Sequence, residues 1–234
     1  MMEGLLLVNK PSGPTSYDLI RWIKRKTGGT TPHVKIGHCG TLDPLASGLM
    51  ILLLGWATKK QGALMGHDKV YRCGLTLGLK TDSGDITGKT IATAPVPTLD
   101  ATRLSAIAQK MTGPQLQTPP MYSAIKKEGT PLYKLARKGQ TVERRPRPVT
   151  IHDFSFLGTV ALDRLEFRVR CTAGTYVRTL AEDVGAALGS VATMASLVRE
   201  KIGDFSLDDA IDGERLKKMD ASQIAEALRP VEAA

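Results

Sequence analysis

The longest uninterrupted apolar stretch of the chain covers residues 48–57. It is too short to cross a bilayer, and its center, residues 49–54, predicts a strand of a folded core. Further strands are expected at 4–8, 70–77, 149–156 and 165–171, where Phe167, Val169 and Cys171 alternate with polar neighbors. The first of these stops at the dense turn Asn9-Lys10-Pro11-Ser12-Gly13-Pro14. Thr15 or Ser16 then caps a helix with the apolar face Leu19, Trp22 and Ile23. A second helix is expected over 99–111, with Leu104, Ile107, Ala108 and Met111 on one side and Gly113-Pro114 at its end. A short one covers 131–138, with Pro131 in its first turn and Gly139 just past it. Another is capped by Thr175 and runs to about Leu188, closed by Gly189, and helical patches follow at 192–201 and 223–229. Residues 28–43 read as a Gly/Thr/Pro-rich loop, residues 80–89 as a polar turn region, and Thr30-Thr31-Pro32 and residues 92–97 as short loops. Strands and helices follow one another irregularly and without an internal repeat, which predicts an α+β fold rather than a regular doubly wound sheet.

A hydrophobic fraction of 42% suffices for a sizeable core. The net charge of +9 points to a polyanionic partner, nucleic acid or an anionic membrane. Its distribution is uneven: residues 126–150 hold eight basic and two acidic residues, residues 204–234 four basic and eight acidic. Three widely spaced cysteines, Cys39, Cys73 and Cys171, give no disulfide framework. Met1-Met2-Glu3-Gly4 lacks the basic region of a signal peptide, so a reducing, cytoplasmic setting is expected.

Two segments stand out chemically. In Gly37-His38-Cys39-Gly40-Thr41-Leu42-Asp43-Pro44-Leu45-Ala46-Ser47-Gly48, three glycines permit unusual backbone angles, and Pro44 disfavors helical geometry at Asp43. Asp43 is thus expected on an extended or turn loop at the mouth of the following strand; an Asx-turn aspartate is the plainer alternative. With Thr175 as N-cap, Arg178 is the third helical residue, where a cation opposes the helix dipole at a cost of roughly 0.3–1 kcal/mol. That local conflict calls for a partner, and a loop carboxylate such as Asp43 suits a guanidinium fork; otherwise Arg178 is an exposed surface arginine. Other signals are weaker. His38-Cys39 with His33 resembles part of a metal cluster but lacks a second pair at ligand spacing. Gly88-Lys89-Thr90 resembles the end of a phosphate-binding loop, yet Ser83 stands where a glycine is needed. Asp82 or Asp85 with Asp43 would make a glycosidase-like carboxylate pair.

Five blocks in order closely resemble the bacterial tRNA pseudouridine-55 synthases, the TruB family: residues 4–16 (GLLLVNKPSGPTS), the 37–48 loop with Leu42-Asp43-Pro44, Lys69-Val70-Tyr71-Arg72 followed by Lys80-Thr81-Asp82-Ser83-Gly84-Asp85, residues 119–126 (PPMYSAIK) through Arg147-Pro148-Val149-Thr150, and Gly174-Thr175-Tyr176-Val177-Arg178-Thr179. The resemblance implies a pseudouridine synthase fold, a mixed, mostly antiparallel sheet flanked by helices and loops, with a central catalytic cleft. It implies a catalytic domain over 1–205 with a basic RNA-gripping insertion at about 120–148, and a short tail over 206–234 in place of the C-terminal PUA domain of many relatives. Asp43 is implied as nucleophile, Tyr71 as the aromatic stacking on the target base, and Arg178 as the carboxylate's partner. His38 would help hold the flipped nucleotide, and Asp85, Tyr176 and Leu197 would line the uracil pocket. Lys126, Lys127, Lys134, Arg137, Lys138, Arg144 and Arg145 would bind RNA. The implied reaction converts uridine 55 in the TΨC arm of tRNA to pseudouridine by base flipping and covalent catalysis. No cofactor, metal, membrane or guide RNA is expected, and the chain is expected to act as a monomer. Guide-RNA-dependent archaeal and eukaryotic relatives share the Leu-Asp-Pro and Gly-Thr-Tyr-x-Arg-Thr blocks but lack an insertion like residues 121–150. A tRNA-folding chaperone with secondary catalysis is the alternative of a different class.

Overall fold

The computed structural model describes residues 2–27 and 34–231. In chain order these form β1 (Gly4–Lys10), α1 (Ser16–Thr27), β2 (Ile36–His38), β3 (Ser47–Leu54), α2 (Gln61–Gly66), β4 (Lys69–Leu77), β5 (Leu79–Thr81), β6 (Thr90–Thr93), α3 (Ala101–Met111), β7 (Gly113–Gln117), β8 (Lys126–Lys127), β9 (Thr130–Pro131), α4 (Leu132–Ala136), β10 (Arg147–Ala161), β11 (Arg164–Cys171), α5 (Val177–Ala187), β12 (Ala192–Ile202), β13 (Phe205–Ser206), β14 (Ile211–Asp212), α6 (Gly213–Lys218) and α7 (Ala221–Glu226). The order is α+β, as the sequence predicts. The chain divides into two compact units, Met1–Tyr71 with Leu197–Ala234, and Arg72–Ser196. It leaves the first unit within β4 and returns within β12. The expected loop Thr30-Thr31-Pro32 and His33 lie outside the described residues.

In the first unit the strand order is β14-β1-β3-β12, with β2 also on β3 and β13 also on β12. β1 and β3 run antiparallel from Gly4↔Leu54 to Lys10↔Gly48. β14 and β12 add in parallel, so the sheet here is mixed. The absence of polar residues from Leu49 to Leu54 of β3 has a direct cause. Leu5, Leu7, Leu49, Ile51 and Leu53 cluster with Cys39, Ala57 and Ile202. Leu6, Val8, Met50, Leu52 and Leu54, of opposite parity, are buried as well. A strand covered on both faces has no solvent side to alternate toward, and each such side chain contributes about 1.5–3 kcal/mol on leaving water. α1 is capped by Thr15, whose hydroxyl accepts the Asp18 N–H at 3.2 Å, while the Asp18 carboxylate accepts the Thr15 N–H at 2.9 Å. Its buried stripe is Leu19, Ile20 and Ile23. Trp22, expected on that face, is half-buried, with the Lys217 ammonium of α6 4.5 Å from its ring center. Within the expected 28–43 loop, Ile36–His38 pairs with β3 as β2.

Residues 192–201, expected as a helical patch, are instead the long strand β12. Small, helix-favoring residues at its start and a buried arginine near its end obscure the two-residue period, and pairing overrides local propensity. The patch expected at 223–229 is α7, Ala221–Glu226, closed at its N-terminus by an Asp220–Gln223 capping box. α6, capped by Asp212, was not expected.

In the second unit the order is β12-β4-β11-β10-β7. β11 and β7 flank β10 in antiparallel fashion. Leu165, Phe167, Val169 and Cys171 are buried, as their alternation predicts. Phe154 stacks on Phe167 at 4.7 Å and meets Phe156 edge-on at 5.3 Å. α3 is capped by Asp100, which accepts the Arg103 N–H. α4 is shorter than the expected 131–138 helix, with Pro131 immediately before it, and Gly139 follows at φ 71°. The N-cap of α5 is Tyr176 rather than Thr175, because the Thr175 hydroxyl donates to the Thr172 carbonyl at 2.9 Å. Arg178 is therefore the second helical residue, not the third.

β1 ends in Lys10, which has no exposed surface. Its ammonium donates to the carbonyls of Pro14 at 2.7 Å, Pro11 at 3.0 Å and Pro44 at 3.3 Å. Burial lowers its pKa from 10.5 to about 8, with the negative charge of Asp43 opposing the shift and that of Arg199, positive, adding to it. The folded pKa lies below the unfolded one, so between them the unfolded chain binds more protons and Lys10 makes the fold more stable as pH rises. The unfolding free energy of the wild type minus that of Lys10→Met, measured in urea, is expected to grow by about 2–3 kcal/mol from about pH 7.5 to about pH 10; a constant difference would show an unshifted lysine. Gly48 makes a second, independent prediction. It sits at φ 106°, and a Cβ there would fall 2.4 Å from the Arg199 carbonyl oxygen. Gly48→Ala is expected to cost at least about 2 kcal/mol by the same assay, and a cost below about 0.5 kcal/mol would refute the close approach.

Candidate active site

The backbone of the segment around Asp43 is held by a series of hydrogen bonds. The Cys39 N–H still donates to Ile51 at 2.9 Å, and the chain then departs from the sheet at Gly40, φ 91°. The Ser16 hydroxyl, at the start of α1, donates to the Leu42 carbonyl at 2.9 Å and accepts the Leu42 N–H at 2.8 Å. The Pro44 carbonyl accepts the Gly13 N–H at 2.7 Å in addition to the Lys10 ammonium. The Ser12 hydroxyl donates to the Leu45 carbonyl at 2.8 Å, and the Ala46 N–H donates to the Asp43 carbonyl at 3.1 Å. Every residue from Leu42 to Leu45 thus has its carbonyl engaged, and Asp43 itself is half-buried. The turn residues after β1 are the donors of this platform, which is the physical reason the 4–16 block and the Leu-Asp-Pro block belong together.

His38 closes β2 in the same unit. It is half-buried, and its Nδ1 is buried without a hydrogen-bond partner. Burial first, and the positive charge of Arg199 second, lower its pKa and favor the neutral imidazole. Tyr71 is buried on β4 and Leu197 on β12.

The second unit holds Asp85, Tyr176 and Arg178. Arg178 is buried in the first turn of α5, not exposed on the surface. Its Nη1 donates to the Ser83 carbonyl at 2.9 Å and its Nη2 to the Tyr122 carbonyl at 2.7 Å. It therefore ties the 80–85 block and the start of the insertion to the helix that carries it. Ser83 also donates its hydroxyl to the Asp85 carboxylate at 3.0 Å, which brings Arg178 and Asp85 together through one residue. The same Asp85 oxygen accepts the Thr87 N–H at 3.0 Å and the Thr87 hydroxyl. Asp85 is buried, and the Ile86 N–H donates to Met194 of β12. Tyr176 is placed by a residue the sequence reading missed. The buried side-chain amide of Gln117 accepts the Tyr176 N–H at 2.7 Å and donates to the Tyr176 carbonyl at 3.1 Å. Such an amide imitates a strand neighbor, and only its position just before Pro119-Pro120 could have signaled it.

In the insertion, Leu132 is the buried anchor of α4, while Lys126, Lys127, Lys134, Arg137, Lys138 and Arg145 are exposed. The Arg137 guanidinium lies 5.5 Å from the Tyr133 ring center. Arg144 differs from the others: it is half-buried, with its Nε buried and unpaired. The weaker candidates resolve into turn chemistry. The Asp82 carboxylate accepts the Lys89 N–H at 2.8 Å, and the Lys89 carbonyl accepts the Asp82 N–H at 3.0 Å, which closes the 82–89 turn across Gly88. Among the described residues no three His, Cys, Asp or Glu side chains group as metal ligands. Burial pushes the Cys39 thiol up to about 11, which disfavors the thiolate a metal needs.

With this geometry in hand, comparison with known proteins is direct. A family model described as TruB family pseudouridylate synthase (N terminal domain) matches residues 24–177, and one described as tRNA pseudouridylate synthase B C-terminal domain matches residues 178–234. The tRNA pseudouridine synthase B of Opitutus terrae is 45% identical over 230 residues, covering 98% of this chain and 93% of the relative. Those of Aromatoleum aromaticum and Endomicrobium trichonymphae are 45% and 43% identical, covering 100% and 98% of this chain and 74% and 97% of the relatives. Among solved structures, a Cbf5-Nop10-Gar1 complex aligns with a TM-score of 0.73 at 26% identity, over 98% of this chain and 60% of the matched one. An archaeal box H/ACA sRNP Nop10-Cbf5 complex aligns with a TM-score of 0.68 at 24% identity, again spanning 60% of the matched chain. The pseudouridine synthase fold is thereby shared, and by the extent of these matches the chain belongs to the TruB family of pseudouridylate synthases.

Proposed function

We propose that the chain converts uridine to pseudouridine in tRNA, at position 55 of the TΨC arm, with Asp43 as the nucleophile. The observation that carries this reading is the immobilised Leu42-Asp43-Pro44-Leu45 segment in a chain of this family. A carboxylate on a loop whose carbonyls are each hydrogen-bonded arrives at its reaction geometry without a further ordering cost. The target base is stacked within the RNA arm, and swinging it out costs a few kcal/mol. Contacts between phosphates and the exposed cations of residues 126–145 offset that cost. Tyr71 supplies a stacking face, worth about 1–3 kcal/mol for a base. Asp43 attacks the substrate covalently, the N1–C1′ bond breaks, the uracil turns, and C5 bonds to C1′ while the bond to Asp43 is released; the C5 proton leaves and N1 takes up a proton, so that atoms and charge balance with no redox partner. Arg178 serves as the partner that keeps the carboxylate ionized, and a neutral His38 helps hold the flipped nucleotide. Asp85, Tyr176 and Leu197 line the uracil pocket. The protein acts as a monomer in the cytoplasm, without a guide RNA.

Purified protein with an unmodified tRNA transcript, and no added metal or guide, is expected to form pseudouridine that maps to the TΨC arm. Asp43→Asn is expected to abolish turnover while tRNA affinity stays within about threefold; residual turnover at the wild-type rate would assign the nucleophile elsewhere. Replacing Lys134, Arg137 and Lys138 together by Gln is expected to weaken tRNA binding and reduce the slope of log affinity against log salt by about 2–3. An unchanged slope would remove the insertion from the RNA interface.

A further inference from the structure

Arg199 leads the fully buried side chains of the described residues by volume, with 1% of its surface exposed. Its Nε donates to the Leu49 carbonyl at 2.7 Å, and its Nη2 donates to the Gly40 carbonyl at 3.1 Å and approaches the Met50 sulfur at 3.0 Å. These acceptors are all neutral. The two carbonyls flank the segment that carries Asp43: the chain leaves the sheet at Gly40 and re-enters it at Ser47, two residues before Leu49. The backbone of Arg199 serves the same junction, since β12 pairs with β3 in parallel at Arg199↔Gly48. Only a glycine at 48 permits this approach, because a Cβ there would lie 2.6 Å from the Arg199 nitrogen.

A buried guanidinium facing only neutral acceptors costs several kcal/mol of desolvation, and an apolar side chain of similar volume would fill the site without that cost. Packing alone therefore does not account for an arginine here. What arginine adds is a rigid planar fork whose nitrogens reach two carbonyls at a fixed separation, which the point charge of a lysine does not reproduce. We propose that Arg199 is a positioning residue for the reaction: it fixes the separation of the two ends of residues 40–49 and thereby the place of Asp43, acting through the loop backbone rather than on the RNA. The proposal rests on Asp43 as nucleophile. Leu197, two residues earlier on β12, shares the side of the strand from which the Arg199 side chain leaves.

The test compares wild type, Arg199→Lys, Gly40→Ala and Asp43→Asn in single-turnover pseudouridine formation on a tRNA transcript, with tRNA Kd and the thermal midpoint measured in parallel. Arg199→Lys is expected to lower the rate constant at least about tenfold while Kd stays within about twofold, since an ångström of misplacement costs on the order of a hundredfold. Gly40→Ala keeps the arginine but displaces the carbonyl it holds, as its Cβ would lie 3.4 Å from Nη1 at φ 91°. It decides the matter should Arg199→Lys not fold, and the same loss of rate at unchanged Kd is expected. A rate within about twofold of wild type in the folded variant, or losses of rate and of affinity that only track the thermal midpoint, overturns the proposal. Wild-type activity with an inactive Asp43→Asn and an unimpaired Arg199→Lys defeats the positioning role alone; an inactive wild type, or an active Asp43→Asn, defeats the nucleophile assignment and the positioning role with it.

Discussion

Carbonyl groups that no strand partner claims govern the first unit. Between Gly40 and Ala46 the chain leaves the sheet beside the apolar run Leu49–Leu54, where backbone polar groups must find donors within the protein. The donors come from two distant places. Ser12, Gly13, Ser16 and Lys10 reach in from the turn after β1, and Arg199 from β12. Two of the five are cations with almost no exposed surface, bonded to neutral oxygens. The charge of Asp43 is felt at one of them, where it raises the Lys10 pKa against the effect of burial.

The second unit repeats the device with other residues. Arg178 holds the carbonyls of Ser83 and Tyr122, and Gln117 holds both backbone groups of Tyr176. In each unit a long polar side chain from regular structure fixes an irregular segment by its main chain. The Asp85 carboxylate is in addition engaged by Ser83 and Thr87 within its own turn.

Much of this was legible in the sequence, and what was not has a common cause. The apolar run of β3, the alternation of β11 and the turn after β1 were read at nearly their observed limits, because burial on one or both faces writes itself directly into residue type. The Leu-Asp-Pro loop and the Gly-Thr-Tyr-x-Arg-Thr block were recognized as blocks, without the bonds that join them to the rest. β12 hides in the sequence because Arg199 occupies a core position, and a charged residue at such a position breaks the pattern by which a strand is recognized. Lys10, Gln117 and Arg199 share this invisibility: each is a polar residue with buried surroundings, and the sequence alone does not say which carbonyl lies opposite. Thr175 carries the hydroxyl of a good cap, but a competing acceptor, the Thr172 carbonyl, claims it.

The cysteines lend themselves to a separate use. All three cysteines are buried and outside any disulfide, Cys39 in the first unit and Cys73 and Cys171 in the second. Burial pushes the thiols of Cys39 and Cys73 toward their unreactive, protonated forms. A thiol reagent therefore meets its targets only when the surrounding strands part, so the rate of modification at each cysteine is a clock for the opening of its own unit. The chain carries built-in reporters, Cys39 for the unit that bears Asp43 and Cys73 with Cys171 for the unit that bears Arg178, with no label to be engineered.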